Sequence, residues 1–518
     1  MSHIVTKPKF FIKTFGCQMN TSDSERVITV LEALGYESVN EEESLKYVDF
    51  VIFNTCSVKQ KAEDKMLGVI KHYHKMRKIN PNIILGVTGC MVRQTGVKED
   101  VRKIKEGRGD EIPEYRKVRA LDLKKRGLAA KKGYDILLTR LTQIDLVFRI
   151  EDIAILGNLL KEVNPNLQLN EIVDEGTLEN YFKIAPKVET KVQAYVPIMT
   201  GCDKFCTYCI VPFTRGREYS RKFEEIIDEC TRLVKSGTQE ITLVGQTVNT
   251  YGLSRMDRAS KNFDWYYHKG GQISSAYRGN HPDESGVEKP FITLLKAVDK
   301  LKTKGLKRLR YTSPHPRDFT DDVIDAITSL DTICPHIHMP VQSGSNTVLK
   351  RMNRNYLAEE YVEILQKMRE KIPNLVITTD IIVGFCGETD EEFEETYKMY
   401  DALEWDFCYI SQYSPRKGTV SERMMDDDIS REVKKERWEK MNELMKQKTH
   451  KKNKSYEGRV VEVLVERSTL EKDNTYLNSG RTPDSKEIQF ISDQDLTGEF
   501  VNIKITEGLE WLLRGALR

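Results

Sequence analysis

Three cysteines crowd one short loop, Gly201-Cys202-Asp203-Lys204-Phe205-Cys206-Thr207-Tyr208-Cys209. Their spacing, C-x3-C-x2-C, lets three thiolates bind three irons of a four-iron–four-sulfur cluster. A fourth cysteine would close such a cluster. With three, one iron keeps an open position, as a catalytic metal site does. The competing reading is a zinc knuckle, but zinc needs a fourth ligand, and none is near in sequence. Cys17, Cys56 and Cys90 form a quieter second set. Each closes a run that reads as a strand: FFIKTFGC, FVIFNTC and ILGVTGC. They recur about one strand–helix–strand unit apart. Parallel strands end on the same edge of a sheet, so these loops converge in the crevice where open α/β sheets bind ligands. Three thiolates meeting there make a second three-cysteine cluster site; the competing reading is ordinary buried cysteines. Cys230, Cys334, Cys386 and Cys408 show no such arrangement and read as small core hydrophobes.

These loops need elements to position them. Lys9 to Thr14, Tyr47 to Asn54 and Ile83 to Thr88 read as strands. Ser22 to Leu34 and Glu63 to Lys78 read as helices, with Ser22 or Asp23 near the first cap. That alternation predicts an open doubly wound α/β layer. Leu146 to Ile150 reads as a return to the sheet and Glu171 to Pro186 as a linker. Strand candidates then recur at Val192 to Pro197, Glu240 to Val244, Arg308 to Tyr311, His336 to Met339, Val376 to Val383 and Phe407 to Tyr413. Such units predict a full or partial β/α barrel. Arg431 to Lys454 is a basic helix. Gly458 to Glu466, Glu487 to Ile491 and Gly498 to Ile505 read as strands of a small terminal β-barrel. The fold class is α/β, with expected domains at 8–175 (insertion about 98–140), 188–430 (insertion about 254–288), a connecting helix at 431–454 and the terminal barrel at 455–518.

The chain has 518 residues, enough for about three domains. Hydrophobic residues make up 39% and charged residues 31%, which fits a core-forming protein. No apolar run approaches the ~18 residues of a membrane helix. Met1 to Phe10 has neither the apolar centre of a signal peptide nor the amphipathicity of a transit peptide. A cytoplasmic protein without membrane contact is expected. The formal charge is +2, so any case for nucleic acid must be local. No heptad or strong interface signal is evident, and a monomer is expected.

The segment GCDKFCTYCIVPFTRGREYSR resembles the methylthiotransferases, a radical S-adenosylmethionine (radical SAM) family with two iron–sulfur clusters. KTFGCQMNTSDSE, DFVIFNTCSV and GVTGCMVRQ are similar to the family's amino-terminal domain. TSPHPRDFTDD, HIHMPVQSGSNTVLKRMNRNY, TTDIIVGFCGETDEEFEET and YSPRKGT are similar to its barrel, and the terminal barrel to its RNA-binding TRAM domain. The residues after Cys209 look like the MiaB-type tRNA branch. The resemblance implies two four-iron–four-sulfur clusters and two S-adenosylmethionine molecules per turnover. The implied substrate is N6-isopentenyl-adenosine next to the tRNA anticodon, and the product its 2-methylthio derivative. The Cys202/Cys206/Cys209 cluster would cleave the cofactor to a 5′-deoxyadenosyl radical that takes the hydrogen from adenine carbon 2. The Cys17/Cys56/Cys90 cluster would hold the sulfur. An electron donor such as a flavodoxin or ferredoxin is implied. No general acid or base is evident. The rival readings are a methylthiotransferase for threonylcarbamoyl-adenosine and a non-catalytic iron–sulfur RNA-binding protein.

Further cofactor candidates lie at strand ends. Gly245 and Gln246 end the second barrel strand, where the superfamily often carries a glycine-rich segment near the cofactor's methionine amino group. Ser313, Gln342 and Asp380 sit on the face where barrel enzymes place their sites. Loop capping is the competing reading for each. Tyr208 packs on adenine or shields the cluster. Arg215, Arg217 and Arg221 follow the cluster loop and are candidates for RNA phosphate contacts. The basic helix and terminal barrel are the candidate grips on the anticodon stem. The second insertion carries Phe263, Trp265, Tyr266 and Tyr267, which either stack on bases or pack on the host domain.

Overall fold

The structure, a computed structural model, describes residues 7–39, 47–56, 60–92, 143–170, 178–188, 192–253 and 288–518. The expected insertion at about 98–140 lies outside the described residues, as does that at about 254–288 except for Glu288. The chain divides into two compact units. The first comprises Met1–Glu189, Thr200–Asp203 and Cys209–Arg221; the second comprises Thr190–Met199, Lys204–Tyr208 and Lys222–Arg518.

The first unit is built on five parallel strands: β1 (Lys9–Thr14), β2 (Glu37–Ser38), β3 (Phe50–Thr55), β4 (Ile84–Gly89) and β5 (Leu146–Val147), in the order β2-β1-β3-β4-β5. Every residue of β3 and β4 is buried, as strands covered on both faces must be. Phe10, Phe50, Ile52 and Ile84 pack with Val27, Leu31 and Leu160 on one face. Phe11, Val51, Phe53 and Leu85 pack with Met66, Ile70 and Tyr73 on the other. Helices thus cover both sides of the sheet, which is the doubly wound layer.

Two local expectations are corrected. The first helix runs Gln18–Ala33, and Cys17 rather than Ser22 or Asp23 takes the N-cap position. Ser22, Asp23 and Ser24 are buried inside it: Ser22 accepts from Arg26 of the same helix, Asp23 from Tyr181 and Ser24 from Asn54. Polar residues that favour caps in isolation are here bound elsewhere. The expected linker holds a short helix, Leu178–Lys183, because Tyr181 and Phe182 are core side chains.

In the second unit, two three-stranded parallel sheets form a partial barrel. One holds Gln193–Pro197, Glu240–Val244 and Arg308–Tyr311; the other holds His336–His338, Val376–Val383 and Phe407–Gln412. A parallel bridge from Leu309 to Ile333 continues between them. Helices such as Phe223–Lys235 and Ala358–Lys371 pack outside. The basic helix Arg431–Lys454 lies along the edge strand: Trp438 donates to the Ile410 carbonyl at 3.1 Å, and Met441 and Met445 are buried. Several of its cations pair with this same unit, Lys434 with Asp427, Arg437 with Glu388, Lys440 with Glu394. That reduces the charge it offers to an RNA backbone. The terminal domain is a closed five-stranded barrel. Two of its strands, Tyr476–Arg481 and Leu513–Leu517, carry glycine and polar residues and give no strand signal in sequence. Arg310 joins the two barrels by donating to the Thr482 and Pro483 carbonyls at 2.9 and 2.8 Å.

Candidate functional site: two three-cysteine centres

The parallel register of the first unit aligns Thr14 with Asn54 and Asn54 with Thr88. The loops leaving β1, β3 and β4 therefore start side by side, and each carries its cysteine within three residues. Close backbone approach draws them together. Cys90 N donates to Thr55 O at 2.7 Å. A Cβ on Gly16 would lie 2.9 Å from Cys56 Cβ, and one on Gly89 would lie 2.7 Å from Thr55 N. Both glycines have positive φ, +142° and +90°, so a side chain is excluded by conformation as well as by space. Asn20 links two of the three loops: its Nδ2 donates to Asn54 Oδ1 (2.9 Å) and Thr55 O (3.2 Å) at the end of β3, and its Oδ1 accepts from Cys17 N (3.4 Å).

Cys56 and Cys90 are buried and Cys17 is exposed. Cys17 occupies the N-cap position of the helix Gln18–Ala33. Burial pushes the Cys90 thiol up, and Arg215 pulls it back. Arg215 reaches this site through the Cys209–Arg221 segment, which belongs to the first unit. Its Nε donates to Cys90 Sγ at 3.2 Å and its Nη2 to Asp23 Oδ2 at 2.7 Å. Each of the three loops carries a thiol, a soft donor set that suits iron–sulfur chemistry. Among the described residues no three His, Cys, Asp or Glu close on a single metal ion.

The segments of the cysteine loop make their contacts each within its own unit. In the first, Cys202 N donates to Gly216 O at 3.1 Å, and Asp203 pairs with Arg217 at 2.7 Å. In the second, Thr207 N donates to Met352 O (3.0 Å), and Asn353 Nδ2 donates to the Lys204 and Phe205 carbonyls (3.2 and 3.0 Å). Lys204 pairs with Asp318 at 2.6 Å. Arg354 is buried and points Nη1 at Cys206 Sγ, 3.5 Å away, while Nη2 and Nε are fixed by Pro340 O and Tyr356 Oη. Burial opposes the charge of Arg354, but the Tyr356, Tyr208 and Cys206 groups outweigh it.

The remaining candidates are placed as follows. Tyr208 lies edge-on to Phe385, 6.5 Å between ring centres, in an apolar group with Val348 and Met352. Gly245 has no room for a side chain, since a Cβ would lie 2.6 Å from Met199 Cγ. Gln246 Oε1 is buried without a protein partner. Ser313 (φ +55°) and Gln342 (φ +73°) hold left-handed conformations at strand ends, a strain that clusters at functional sites. Asp380 pairs with His338 at 3.4 Å. The three arginines are corrected in part. Arg215 and Arg221 are buried, Arg215 on Asp23 and Cys90, Arg221 on the Phe182 carbonyl (2.9 Å). Neither is exposed to a phosphate; the side chain of Arg217 is 49% exposed and pairs with Asp203. Arg354, Asn20 and Asn54 escaped the sequence reading. Arg354 lies within a quoted barrel segment, and Asn20 in a helix start too polar to pack by hydrophobicity alone.

A parallel barrel with a C-x3-C-x2-C loop after its first strand defines a radical SAM enzyme. The family model of the radical SAM superfamily matches residues 196–400, that of the uncharacterized protein family UPF0004 residues 9–107, and that of the TRAM domain residues 454–517. The superfamily brings with it a four-iron–four-sulfur cluster and S-adenosylmethionine, and the relatives make the chain a transferase. The tRNA-2-methylthio-N6-dimethylallyladenosine synthase of Anoxybacillus flavithermus is 37% identical over 98% of this chain and 82% of its own length. That of Bacillus subtilis is 38% identical over 98% of this chain and 86% of its own. The chain belongs to this family of tRNA methylthiotransferases. Among solved structures, the cobalamin-dependent S-adenosylmethionine radical enzyme OxsB is similar at 11% identity and a TM-score of 0.46, over 85% of this chain and 56% of that one. No helix among the described residues is long and apolar enough to cross a membrane.

Proposed function

We propose that this chain converts N6-isopentenyl-adenosine beside the tRNA anticodon into its 2-methylthio derivative. The observation that carries the reading is the convergence of Cys17, Cys56 and Cys90 in a chain with a radical SAM barrel. A second all-thiol site in a chain that also carries a radical machine is what sulfur insertion requires. Cys202, Cys206 and Cys209 would hold the cluster that binds S-adenosylmethionine, and Cys17, Cys56 and Cys90 a second four-iron–four-sulfur cluster. When bound, the first cluster and cofactor supply a carbon radical able to take the hydrogen of adenine carbon 2, which no side-chain base removes. Two S-adenosylmethionine molecules are used per turnover, the second to methylate the sulfur.

The chain's own residues bind and orient. Arg354 and Asn353 hold the cysteine loop in one geometry. Gly245 leaves its strand end bare, and Gln246 Oε1 offers an acceptor to the cofactor's ammonium group. Ser313 and Gln342 follow strand ends, Asp380 lies within the strand Val376–Val383, and Tyr208 with Phe385 keeps water from the loop. Arg217 and the terminal barrel grip the anticodon stem. A flavodoxin or ferredoxin supplies the electron, and the enzyme works as a cytoplasmic monomer.

The test uses protein with both clusters reconstituted, dithionite, S-adenosylmethionine and an RNA stem-loop bearing isopentenyl-adenosine. Mass spectrometry of the digested RNA should find the 2-methylthio nucleoside. Cys17→Ala should abolish it while 5′-deoxyadenosine still forms. A product only on threonylcarbamoyl-adenosine RNA would replace the substrate. No 5′-deoxyadenosine from intact clusters would overturn the enzyme reading.

A further inference from the structure

Arg215 lies deep in the first unit, with its side chain only 3% exposed and that of Asp23 fully buried. A buried ion pair adds little net stability over an apolar pair of similar volume, so its presence calls for another reason. The geometry supplies one. Tyr181 Oη donates to Asp23 Oδ1 at 2.6 Å, and Asp23 Oδ2 takes Arg215 Nη2 at 2.7 Å, so the guanidinium plane is fixed from behind. In front, Nε donates to Cys90 Sγ at 3.2 Å. The third nitrogen, Nη1, is buried with no hydrogen-bond partner. A charged donor is rarely left so in a protein interior. What it lacks is an anion beside the converging thiols.

We infer that Arg215 is a positioning residue of the sulfur-donating site, its Nε holding the Cys90 sulfur and its Nη1 donating to an anionic sulfur of the cluster held there. The inference rests on the reading that Cys17, Cys56 and Cys90 carry a second cluster. A cation and two hydrogen bonds stabilise the more negative, reduced form of such a cluster, and hydrogen bonds to its sulfurs set its potential. Asp23 and Tyr181 act one step further out, orienting the arginine as outer partners orient metal ligands. Arg215 also lies a few residues beyond the barrel's own cysteine loop, on the Cys209–Arg221 segment. One short stretch of chain thus carries a ligand of the first cluster and a donor to the second.

The test uses the full chain. Arg215→Met alone would strand the Asp23 charge, so the principal variant is Asp23→Asn with Arg215→Gln, which removes both charges. Arg215→Lys keeps the charge without the fork. Each is made in the native chain and in a Cys202→Ala, Cys206→Ala, Cys209→Ala background, where only the second cluster contributes to the electron paramagnetic resonance spectrum. The double variant should load iron and sulfide but show a more negative reduction potential, with Arg215→Lys between it and the parent. In the native background its 2-methylthio product should fall about tenfold or more with 5′-deoxyadenosine formation retained. A parent-like potential in the loaded double variant makes Arg215 a structural ion pair and overturns the inference. If the double variant takes up no iron, a parent-like potential in Arg215→Lys does the same. If even the parent shows no cluster at this site, the two-cluster reading has failed and the inference with it. If the parent makes 5′-deoxyadenosine but no 2-methylthio product, the substrate reading has failed, and the potentials still decide the role of Arg215.

Discussion

Replacing Gly89 by alanine is a sharp test of how the Cys17/Cys56/Cys90 site is built. Gly89 ends β4 with φ +90°, and its Cβ would stand 2.7 Å from Thr55 N and 2.5 Å from Asn54 Oδ1. Those atoms cannot swing away, because Thr55 is backbone and Asn54 is tied to Asn20 and Ser24. A left-handed conformation costs an L-residue about 1–2 kcal/mol. Overpacking a full interior adds about 1–3 kcal/mol. A local cost of about 3 kcal/mol corresponds to an opening equilibrium raised on the order of a hundredfold. The displaced backbone carries Cys56 on one strand and Cys90 on the other, so cluster loading should fall with it. The assay is hydrogen exchange of residues 50–56 and 84–92 with iron per chain measured in parallel. Gly68→Ala is the control in the same unit. It lies within the helix Gln60–Lys75 with nothing within 4 Å of its Cβ, and should gain about 0.5–1 kcal/mol. Exchange and iron content in Gly89→Ala equal to those of the parent would refute the close-approach argument.

Further outcomes follow from the second unit. Arg354→Met removes the donor to Cys206 and the ties to Pro340 and Tyr356, and should lower 5′-deoxyadenosine formation by about 10–100-fold. Burial raises the Glu392 carboxyl, but Arg351, Thr347 and the Thr389 amide outweigh it and hold it at about 2. A depressed carboxyl contributes stability that is present above its unfolded value, near 4.3, and is lost as pH falls toward 2. Circular dichroism should therefore follow an acid transition across that window, flattened in Glu392→Gln. Arg310→Met removes donors from two terminal-barrel carbonyls, each charged hydrogen bond contributing about 1.5–3 kcal/mol, and should speed proteolysis near residues 454–460.

The parts of this protein legible in sequence are those set by local pattern. β1, the barrel strands Glu240–Val244 and Val376–Val383 and the helix Arg431–Lys454 stand where their periodicity and end signals put them. What periodicity missed had a physical reason in each case. Tyr476–Arg481 pairs on both sides within a closed barrel, so its Asn, Ser and Gly need no apolar alternation to be held. The Gln18–Ala33 helix begins early because Asn20 and Asp23 answer to partners across the sheet. Tyr181 and Phe182 form a helix where composition read as a connector, since packing overrode a weak local signal.

The sequence by itself singled out the cysteines of both three-thiol sets. Three thiols within one loop are near by covalent distance alone, and three strand-end thiols are near because parallel strands finish on one edge. It also carried the family, through motifs in a fixed order. Only tertiary structure decided which charges serve those thiols. Arg215 and Asp23 are 192 residues apart in the chain yet buried together against Cys90, and Arg354 meets Cys206 across 148. Charge read along a chain is a surface property by default. It becomes a property of a site only when distant segments fold around it and exclude the water that would otherwise screen it.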